Sequence, residues 1–393
     1  MGLLERKLGI IGGGQLGKMM ILEAKRLGIY CAVLDPDTSC ASRSVADLYI
    51  EAKFDDSEAV MNLARQVDVI TFELEHVGRN CLEVLDRALE KAELDVRPAP
   101  SSLLSIQNKF IQKTKLKEAG IPIPVFAAIN CDGGNALGDG GSMAMAGKIL
   151  GYPYMLKACS GGYDGKGNAP VWSPDDEETA YNTLGGGKIP LMAEAFVKFD
   201  MEISVLACRS IYGDVKIFPL AQNTHEESIL LETRAPAEIS PQTEQKAIAI
   251  AKLAMDVFGA VGMFCVEMFV TKGGDVLVNE IAPRPHNSGH YTIDSCMVNQ
   301  FEQHVRAVMG LPLADPGMCG FAVMRNLLGK GDGKAKTYGA AEALSIDGVK
   351  LHIYGKPEVR VKRKMGHFTA CGSTLEEALD RADRADGVLS VNS

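Results

Sequence analysis

The chain has 393 residues, and its 41 Lys and Arg against 50 Asp and Glu give a formal net charge of −9. With 46% hydrophobic and 23% charged residues, its composition is that of an ordinary globular protein, which excludes disordered, collagen-like and membrane-embedded classes. The acidic balance argues against a protein that coats nucleic acid, and the length predicts two or three domains.

Ten cysteines are scattered along the chain without a CxxC pair or neighbouring paired histidines. This usage predicts reduced thiols rather than a zinc site or a disulfide framework. The N-terminal segment lacks the apolar run of a signal peptide, and no stretch is long enough to cross a bilayer. We therefore expect a cytoplasmic protein that acts on small metabolites, without nucleic-acid or membrane partners.

Residues 1–100 alternate between predicted strands and helices. KLGII, YCAVLD and DVITFEL have the composition of buried strands, and QLGKMMILEAKRLG and DSEAVMNLARQV that of helices. This order predicts a parallel sheet with helical crossovers, as in a Rossmann-like domain. RPAPSS, rich in proline and serine, then indicates a domain boundary near residue 100.

A second domain is predicted over residues 101–320. It starts with a helix from Leu103 to about Gly120, and a small α+β unit is expected at 151–206. The glycine-rich segment 131–147 is poorly patterned, so we expect a mobile surface insertion there. A helix at 241–258 and a hairpin at 261–283 follow, and residues 321–393 read as a separate small α+β domain.

The glycine motif Gly12–Gly17 follows a predicted strand and opens a helix, with Asp35 ending the next strand. Such a turn brings a helix N-terminus close to an anion and is typical of dinucleotide-binding oxidoreductases. The motif is short, however, and a tight turn in a Rossmann-like domain that binds no nicotinamide explains it equally well.

A second glycine loop extends from Lys157 to Asn168 and contains four glycines and two lysines. Exposed amides and lysine charge suit a polyphosphate, although a solvated hairpin turn is the alternative. The loop is not a Walker A motif, because Gly167 follows Lys166 where Ser or Thr is required.

The hairpin at 261–283 predicts a pair of facing carboxylates. If Gly273-Gly274 is a two-residue turn, paired residue numbers sum to 547, which places Glu267 opposite Glu280 with their Cβ atoms about 5 Å apart. Like charges so placed need a cation between them, and Mg²⁺ with phosphate oxygens is the natural choice. A register shifted by one residue, with both side chains in solvent, is the alternative. Asn279 faces the opposite side of a regular strand, so a metal role for it requires a bulge.

Two further clusters of polar residues lie downstream. The segment from Arg284 to His290 is dense in cationic and turn-forming residues, which favours an anion-binding catalytic loop. Structurally, Arg284 could instead pair with a carboxylate while the histidines cap a helix over 291–309. The basic segment 354–367 suits a phosphate or is a solvated strand face.

Four motifs in order, GGGQLGKMM, GGYDGKG, NEIAPRPHNSGH and YGK…RKMGH, resemble the ATP-grasp superfamily. Within it, the resemblance is to the N5-carboxyaminoimidazole ribonucleotide synthetases of purine biosynthesis and runs from about residue 7 to 380. It implies an α/β and α+β ATP-grasp fold with an N-terminal Rossmann-like (pre-ATP-grasp) domain and a small C-terminal α+β domain. The implied reaction joins bicarbonate to 5-aminoimidazole ribonucleotide through carboxyphosphate at the expense of ATP.

The resemblance also implies an ATP and magnesium site. Lysines contact the phosphates, a glycine loop forms a lid, a strand end borders the adenine, and acidic residues hold the ribose and Mg²⁺. In that order, the residues are Lys109 and Lys157; Gly162, Tyr163, Asp164, Gly165, Lys166, Gly167 and Asn168; Glu194, Ala195, Phe196 and Val197; Glu202, with His225 nearby; and Glu267 and Glu280, with Asn279 beside them.

For the other substrates, the family pattern places hydrogen-bond donors around bicarbonate at Arg284, His286, Asn287 and Lys356. The ribonucleotide positions are Gln15, Leu16, Tyr163, Asp164, Lys166, Lys356, Arg363 and Lys364. Asp164 is expected to accept the proton of the attacking amine. A homodimer is expected, with a separate mutase acting downstream.

This chain departs from the family pattern at three places, one of which is the unfamiliar insertion at 131–147. QNK at 107–109 replaces the usual QDR, so Lys109 keeps the charge but not the fork of a guanidinium. Gln222 replaces a more common Glu. The alternatives are a sister ligase such as a formate-using glycinamide ribonucleotide transformylase, a nicotinamide-dependent oxidoreductase, and an inactive nucleotide-binding regulator.

Overall fold

The structure, a computed structural model, describes residues 2–131, 136–138, 140–161 and 167–393. Three sheets of four or more strands organise this part of the chain. Within it, no helix is both long and apolar enough to span a bilayer.

The N-terminal sheet has five parallel strands in the order β3-β2-β1-β4-β5. This confirms the predicted parallel sheet with helical crossovers, although strand β3 and helix α3 had not been predicted. Its core strands are buried on both faces, which explains their continuous apolar runs. The elements are β1 (Leu8–Ile11), α1 (Gln15–Arg26), β2 (Cys31–Asp35), β3 (Leu48–Glu51), α2 (Ser57–Ala64), β4 (Val69–Phe72), α3 (Arg79–Glu90) and β5 (Asp95–Val96).

The linker to the next sheet holds two helices, α4 (Pro100–Ile106) and α5 (Lys109–Glu118). The prediction of one continuous helix from Leu103 to Gly120 is therefore wrong. The Asn108 side chain accepts the Ile111 backbone N–H at 3.0 Å and so caps a new helix. The break places Gln107 and Lys109 at the wall of a cleft.

A four-stranded sheet in the order β6-β9-β7-β8 corresponds to part of the small unit expected at 151–206. It starts earlier than expected and ends at Ala195, because the strand expected over EISVLACR pairs in the central sheet instead. Its elements are β6 (Phe126–Ile129), α6 (Ser142–Leu150), β7 (Tyr154–Ala158), β8 (Asn168–Val171), α7 (Glu177–Thr183) and β9 (Leu191–Ala195). The expected mobile insertion at 131–147 is wrong for residues 142–147, because they belong to α6 and bury Met143 completely. Residues 132–135 and 139 lie outside the described residues.

The central sheet runs in the order β15-β14-β10-β12-β13-β16-β21-β19, with β11 paired to β10. Its first part consists of β10 (Phe199–Arg209), β11 (Val215–Ile217), β12 (Ala221–Glu226), β13 (Ile229–Ala235), α8 (Pro241–Phe258), β14 (Gly262–Thr271) and β15 (Val276–Ala282). Helix α8 packs Ala247, Ala251 and Met255 on one face of this sheet, and the cleft opens on the other side. Helices α9 (Thr292–Ser295) and α10 (Gln300–Met309) follow as two pieces, so the helix considered over 291–309 is interrupted.

Strands β16, β21 and β19 of the C-terminal segment continue the central sheet, because β16 pairs with β13 in antiparallel register; β17 pairs with β20 and β18 with β22 outside it. Arg325 of β16 lies opposite Glu232 of β13, and its Nε donates to Glu232 Oε2 at 2.6 Å. The domain division at residue 320 stays a prediction. The remaining elements are β16 (Phe321–Leu328), β17 (Gly333–Lys334), β18 (Lys336–Tyr338), α11 (Ala340–Leu344), β19 (Val349–Ile353), β20 (Glu358–Val359), β21 (Lys364–Gly372), α12 (Leu375–Asp386) and β22 (Ser390–Asn392).

Candidate active site

A cleft of about 510 Å³ lies between the central sheet, the four-stranded sheet and the N-terminal domain. It brings together most of the residues that the sequence singled out. These are Gln15, Leu16, Lys109, Lys157, Gly167, Asn168, Glu194, Ala195, Phe196, Val197, Glu202, His225, Glu267, Asn279, Glu280, Arg284, His286, Asn287 and Lys364. Lys356 and Arg363 do not line it, and Gly162, Tyr163, Asp164, Gly165 and Lys166 lie outside the described residues.

The carboxylate pair is formed, but not by the predicted turn. Thr271 donates its backbone N–H to the Asp275 carbonyl at 2.9 Å, so three residues rather than two form the loop. From the loop to the pair of Met268 and Val278, the register therefore differs by one residue from the predicted register. A bulge next to this pair leaves Asn279 unpaired and restores the pairing of Glu267 with Glu280.

The two carboxylates have opposite electrostatic surroundings. Burial raises the pKa of Glu267 to about 7, and the neighbouring Glu280 carboxylate also raises it. Burial alone would raise the pKa of Glu280 as well, but the Lys109 ammonium, 2.9 Å from Oε2, lowers it below its usual value. In addition, Glu267 Oε1 is buried and accepts no hydrogen bond from the protein. An oxygen in this state suits a cation ligand.

Lysine side chains lie next to the Glu280 end of this carboxylate pair. Lys157 Nζ donates to Glu194 Oε1 at 2.6 Å and to Asn279 Oδ1 at 3.4 Å, a contact that the bulge makes possible. Lys113, which the sequence analysis did not identify, lies behind Glu194 and is 2% exposed. Burial lowers the pKa of Lys113 to about 8, so the ammonium stays charged at pH 7. These cations give the cleft a site for a polyanion.

Aromatic rings line the end of the cleft next to strand β9. Phe199 and Phe269 stack with their centroids 4.7 Å apart and their planes at 9°, and Phe196 lies 5.7 Å from Trp172. Phe199 and Phe269 were missed in the sequence, since apolar residues in strands normally indicate packing. Flat apolar surfaces of this kind suit a nucleobase.

Glu202 and His225, both predicted near a ribose, contact each other through Glu202 Oε2 and His225 Nδ1. Burial alone would lower the pKa of His225, but the hydrogen bond to Glu202 raises it above the usual value. The pair therefore offers a carboxylate whose second oxygen remains for a hydroxyl group.

The loop after strand β15 is fixed by contacts from other parts of the chain. Arg284 forms a two-point ion pair with Glu75, with Nε 2.8 Å from Oε1 and Nη2 donating to Oε2 at 3.0 Å. The structural interpretation of Arg284, pairing with a carboxylate, is thus confirmed, and Arg284 also lines the cleft. Glu75 was missed, although it lies three residues after the end of β4.

His286 is neutral and has a defined tautomer. Burial lowers the pKa of its imidazole well below the usual value. The Ser288 backbone N–H donates to Nδ1 at 3.3 Å, which places the ring proton on Nε2. Asn287 exchanges two amide hydrogen bonds with Asn326, at 3.0 and 2.9 Å, and is held at the cleft wall. The loop therefore presents neutral and cationic hydrogen-bond donors.

The glycine motif near the N-terminus has its amides occupied by the chain itself. Gly13 donates its N–H to Asp35 Oδ2 at 2.7 Å, while Gly14 and Leu16 donate to the Glu73 carboxylate. A pyrophosphate at this helix N-terminus would meet Glu73, whose carboxylate already fills the anion position. This geometry favours the interpretation of a tight turn without nicotinamide.

The C-terminal basic segment reaches the cleft through Lys364. Lys356 Nζ donates to the Lys364 carbonyl at 2.8 Å and lies over the Tyr354 ring. Arg363 Nη1 donates to the Glu358 carbonyl at 2.8 Å. In the N-terminal domain, hydrogen bonds from Ser39 lower the pKa of Asp37, and the positive charge of Arg363 lowers it further by a smaller amount. Lys356 and Arg363 thus flank the cleft rather than line it.

Three families match consecutive parts of the chain. The ribonucleotide synthetase preATP-grasp domain matches residues 5–107. The ATP-grasp domain matches residues 114–301, and the phosphoribosylaminoimidazole carboxylase C-terminal domain matches residues 322–381.

Known proteins are similar in sequence over nearly the whole chain. The N5-carboxyaminoimidazole ribonucleotide synthase of Bacillus subtilis is 40% identical over 363 residues, which are 92% of this chain and 90% of that protein. The phosphoribosylaminoimidazole carboxylase of Schizosaccharomyces pombe is 39% identical over 95% of this chain, which spans 66% of that longer protein, just under two thirds.

Solved structures are also similar to this chain over nearly its whole length. The N5-carboxyaminoimidazole ribonucleotide synthetase of Thermotoga maritima has a TM-score of 0.87 at 40% identity, covering 99% of each chain. The Aspergillus clavatus synthase in complex with ADP and 5-aminoimidazole ribonucleotide has a TM-score of 0.86 at 34% identity, covering 98% of this chain and all of that one.

Proposed function

Because this chain belongs to the N5-carboxyaminoimidazole ribonucleotide synthase family of ATP-grasp ligases, we propose that it carboxylates 5-aminoimidazole ribonucleotide with bicarbonate and ATP. A bicarbonate oxygen attacks the γ-phosphorus, ADP leaves, and carboxyphosphate forms. The amine of the ribonucleotide then attacks the carboxyl carbon, the bond from that carbon to the phosphate oxygen breaks, and the amine gives up a proton.

The observation that carries the proposal is the arrangement of charge along one cleft. Lys109 and Lys157 stand beside the Glu267–Glu280 pair at one wall, and the Arg284 loop lines the same cleft. Phosphoryl transfer needs positioned partners and neutralised phosphate charge more than covalent help. If the triphosphate of ATP binds to these lysines, the nucleobase is available to stack on Phe199 and Phe269. Glu202 would then accept hydrogen bonds from the ribose hydroxyls.

Glu267 and Glu280 are the residues that would hold Mg²⁺. Their facing carboxylates and the unpartnered oxygen of Glu267 fit a hard cation that takes oxygen ligands. When bound, such an ion offsets the negative charge of the transferred phosphoryl group. Asn279 supplies a neighbouring amide oxygen, which Lys157 contacts in this structure.

Arg284, His286 and Asn287 would orient bicarbonate as hydrogen-bond donors. Arg284 is held by Glu75, so its guanidinium is oriented before substrate arrives. His286 offers its Nε2 proton without adding charge. Lys356 contacts the backbone of Lys364 next to the cleft and brings a further cation to this end.

For the ribonucleotide, we propose Gln15, Leu16 and Lys364 at the cleft wall, with Arg363 and Lys356 as flanking cations for its phosphate. Tyr163 and Lys166 complete this set in the proposal, with Asp164 as the proton acceptor; all three lie outside the described residues. The downstream mutase, a homodimeric state and a cytoplasmic location remain predictions. Sedimentation and cell fractionation test the last two.

The experiment is an omission series that measures phosphate release. Release should require ATP, bicarbonate and 5-aminoimidazole ribonucleotide together, and bicarbonate labelled with ¹⁸O should transfer label to the phosphate. Formate with glycinamide ribonucleotide should give no release. Label that stays out of the phosphate, or release that follows formate, would contradict the proposal. Tight binding of reduced nicotinamide without binding of ATP would favour the oxidoreductase instead.

A further inference from the structure

Lys113 is a buried cation with no role assigned so far. It lies on helix α5, is 2% exposed and does not line the cleft. Its Nζ lies 2.9 Å from Glu194 Oε2 and donates to the Val278 backbone carbonyl at 2.9 Å. One ammonium therefore joins three elements: helix α5, strand β9 of the four-stranded sheet, and strand β15 beside the bulge.

Glu194 is shared between this buried lysine and a lysine of the cleft. Lys157 Nζ contacts Oε1 at 2.6 Å while Lys113 contacts Oε2. Without Lys113, both oxygens of Glu194 would be left to Lys157. A carboxylate in a site of low dielectric constant would then hold the Lys157 ammonium more tightly.

A second ion pair lies next to this group, because Lys109 pairs at 2.9 Å with Glu280, the residue after the Asn279 that Lys157 contacts. In this cluster of Lys109, Lys113, Lys157, Glu194 and Glu280, three cations meet two carboxylates, which leaves one net positive charge. Loss of Lys113 brings the net charge to zero. A polyphosphate that approaches these five side chains would then meet no excess of positive charge from them.

We propose that Lys113 is a positioning residue for the nucleotide: by occupying one oxygen of Glu194, it keeps the Lys157 ammonium available to the phosphates. This inference rests on the ATP-dependent function proposed above. A buried ion pair is weak support for stability alone, since apolar replacements often serve equally well. The contacts with Glu194 and with the bulged strand therefore require a functional test.

The test compares Lys113→Met with the double variant Lys113→Met/Glu194→Gln, which removes one charge of each sign. The double variant has the same net cluster charge as the native protein. Calorimetry with MgADP gives binding without turnover, and steady-state kinetics gives the apparent KM for each substrate. Lys115→Met is the matched control, because Lys115 is an exposed lysine on the same helix.

We expect Lys113→Met to weaken MgADP binding and raise the KM for ATP about tenfold, with kcat and the other two KM values changed less than about twofold. The double variant should return both nucleotide values to within about threefold of native. Lys115→Met should behave as native.

Three results would overturn the inference: native nucleotide affinity in Lys113→Met, an equal loss for all three substrates, or a double variant as weak as the single one. If Lys113→Met does not fold, the double variant still decides, because an affinity for MgADP more than about threefold below the native value would overturn the inference. Native protein that binds MgADP without bicarbonate-dependent turnover would refute the proposed reaction, whereas the calorimetry would still test Lys113.

Discussion

Replacing Glu280 by Gln separates the contribution of its charge to catalysis from its contribution to stability. Gln has nearly the same shape and can still accept a hydrogen bond from Lys109, so the cleft keeps its form. The ion pair that is lost joins side chains that are 18% and 43% exposed. At that exposure, solvent screens the pair, and its removal should cost no more than about 1 kcal/mol of the free energy of unfolding.

The effect on turnover should be much larger. Glu280 faces Glu267 at the proposed magnesium position, where a carboxylate charge contributes to holding the cation against the phosphates. Loss of one such charge should lower kcat at least about 100-fold, which corresponds to about 2.7 kcal/mol of transition-state stabilisation. The fall in activity would thus exceed what the loss of stability explains.

The assay is phosphate release at increasing Mg²⁺ concentration, with thermal denaturation of the same preparations. Asp275→Asn is the control, because it removes the same charge from the exposed tip of the same hairpin. We expect Glu280→Gln to melt within about 3 °C of native and Asp275→Asn to be fully active. Near-native turnover of Glu280→Gln at saturating Mg²⁺ would refute the assignment of this carboxylate, and a collapse of its melting temperature would refute the stability argument.

Three other changes have defined outcomes. Arg363→Ala should mainly raise the KM for the ribonucleotide, because Arg363 flanks the cleft, and a loss confined to kcat would count against phosphate anchoring. Glu75→Gln should free the Arg284 guanidinium and raise the KM for bicarbonate more than that for ATP; equal increases would contradict a positioning role. Burial lowers the pKa of His304 to about 3. Below about pH 6.5 its imidazole therefore binds a proton in the unfolded chain but stays neutral in the native protein. The free energy of unfolding therefore decreases as the pH falls, by about 1.6 kcal/mol between pH 6.5 and 5. His304→Gln should flatten the pH dependence of urea denaturation by that amount, and an unchanged slope would exclude His304 as its source.

The sequence predicted the parallel N-terminal sheet, helix α8 and the hairpin well, because long apolar periods leave little choice of structure. The pairing of Glu267 with Glu280 was predicted correctly but for the wrong reason, because the register nearer the loop differs from the prediction by one residue. Gly273-Gly274 suggested a two-residue loop, whereas the chain uses three residues and regains the register through a bulge at Asn279. A bulge is one extra residue in one strand, and the alternation of apolar and polar residues in the sequence does not indicate where it is inserted.

Contacts between distant segments were the other limit of the sequence analysis. Glu73 binds the glycine motif and Glu75 binds Arg284, yet both follow strand β4 as ordinary acidic residues. Lys113 belongs to a helix with many lysines, and only the fold shows that it is buried. Burial and pairing of charges depend on tertiary packing, so such residues become visible only in three dimensions.

The pairing of β13 with β16 has a consequence for how chains of this kind can be cut or recombined. The C-terminal segment is attached in the middle of a hydrogen-bonded ladder, with Glu232 and Arg325 facing each other across the junction. A chain shortened at residue 320 would leave β13 as an open edge, inviting aggregation. A chimera with a foreign C-terminal segment must therefore reproduce this register and this ion pair, not merely supply a segment of similar size.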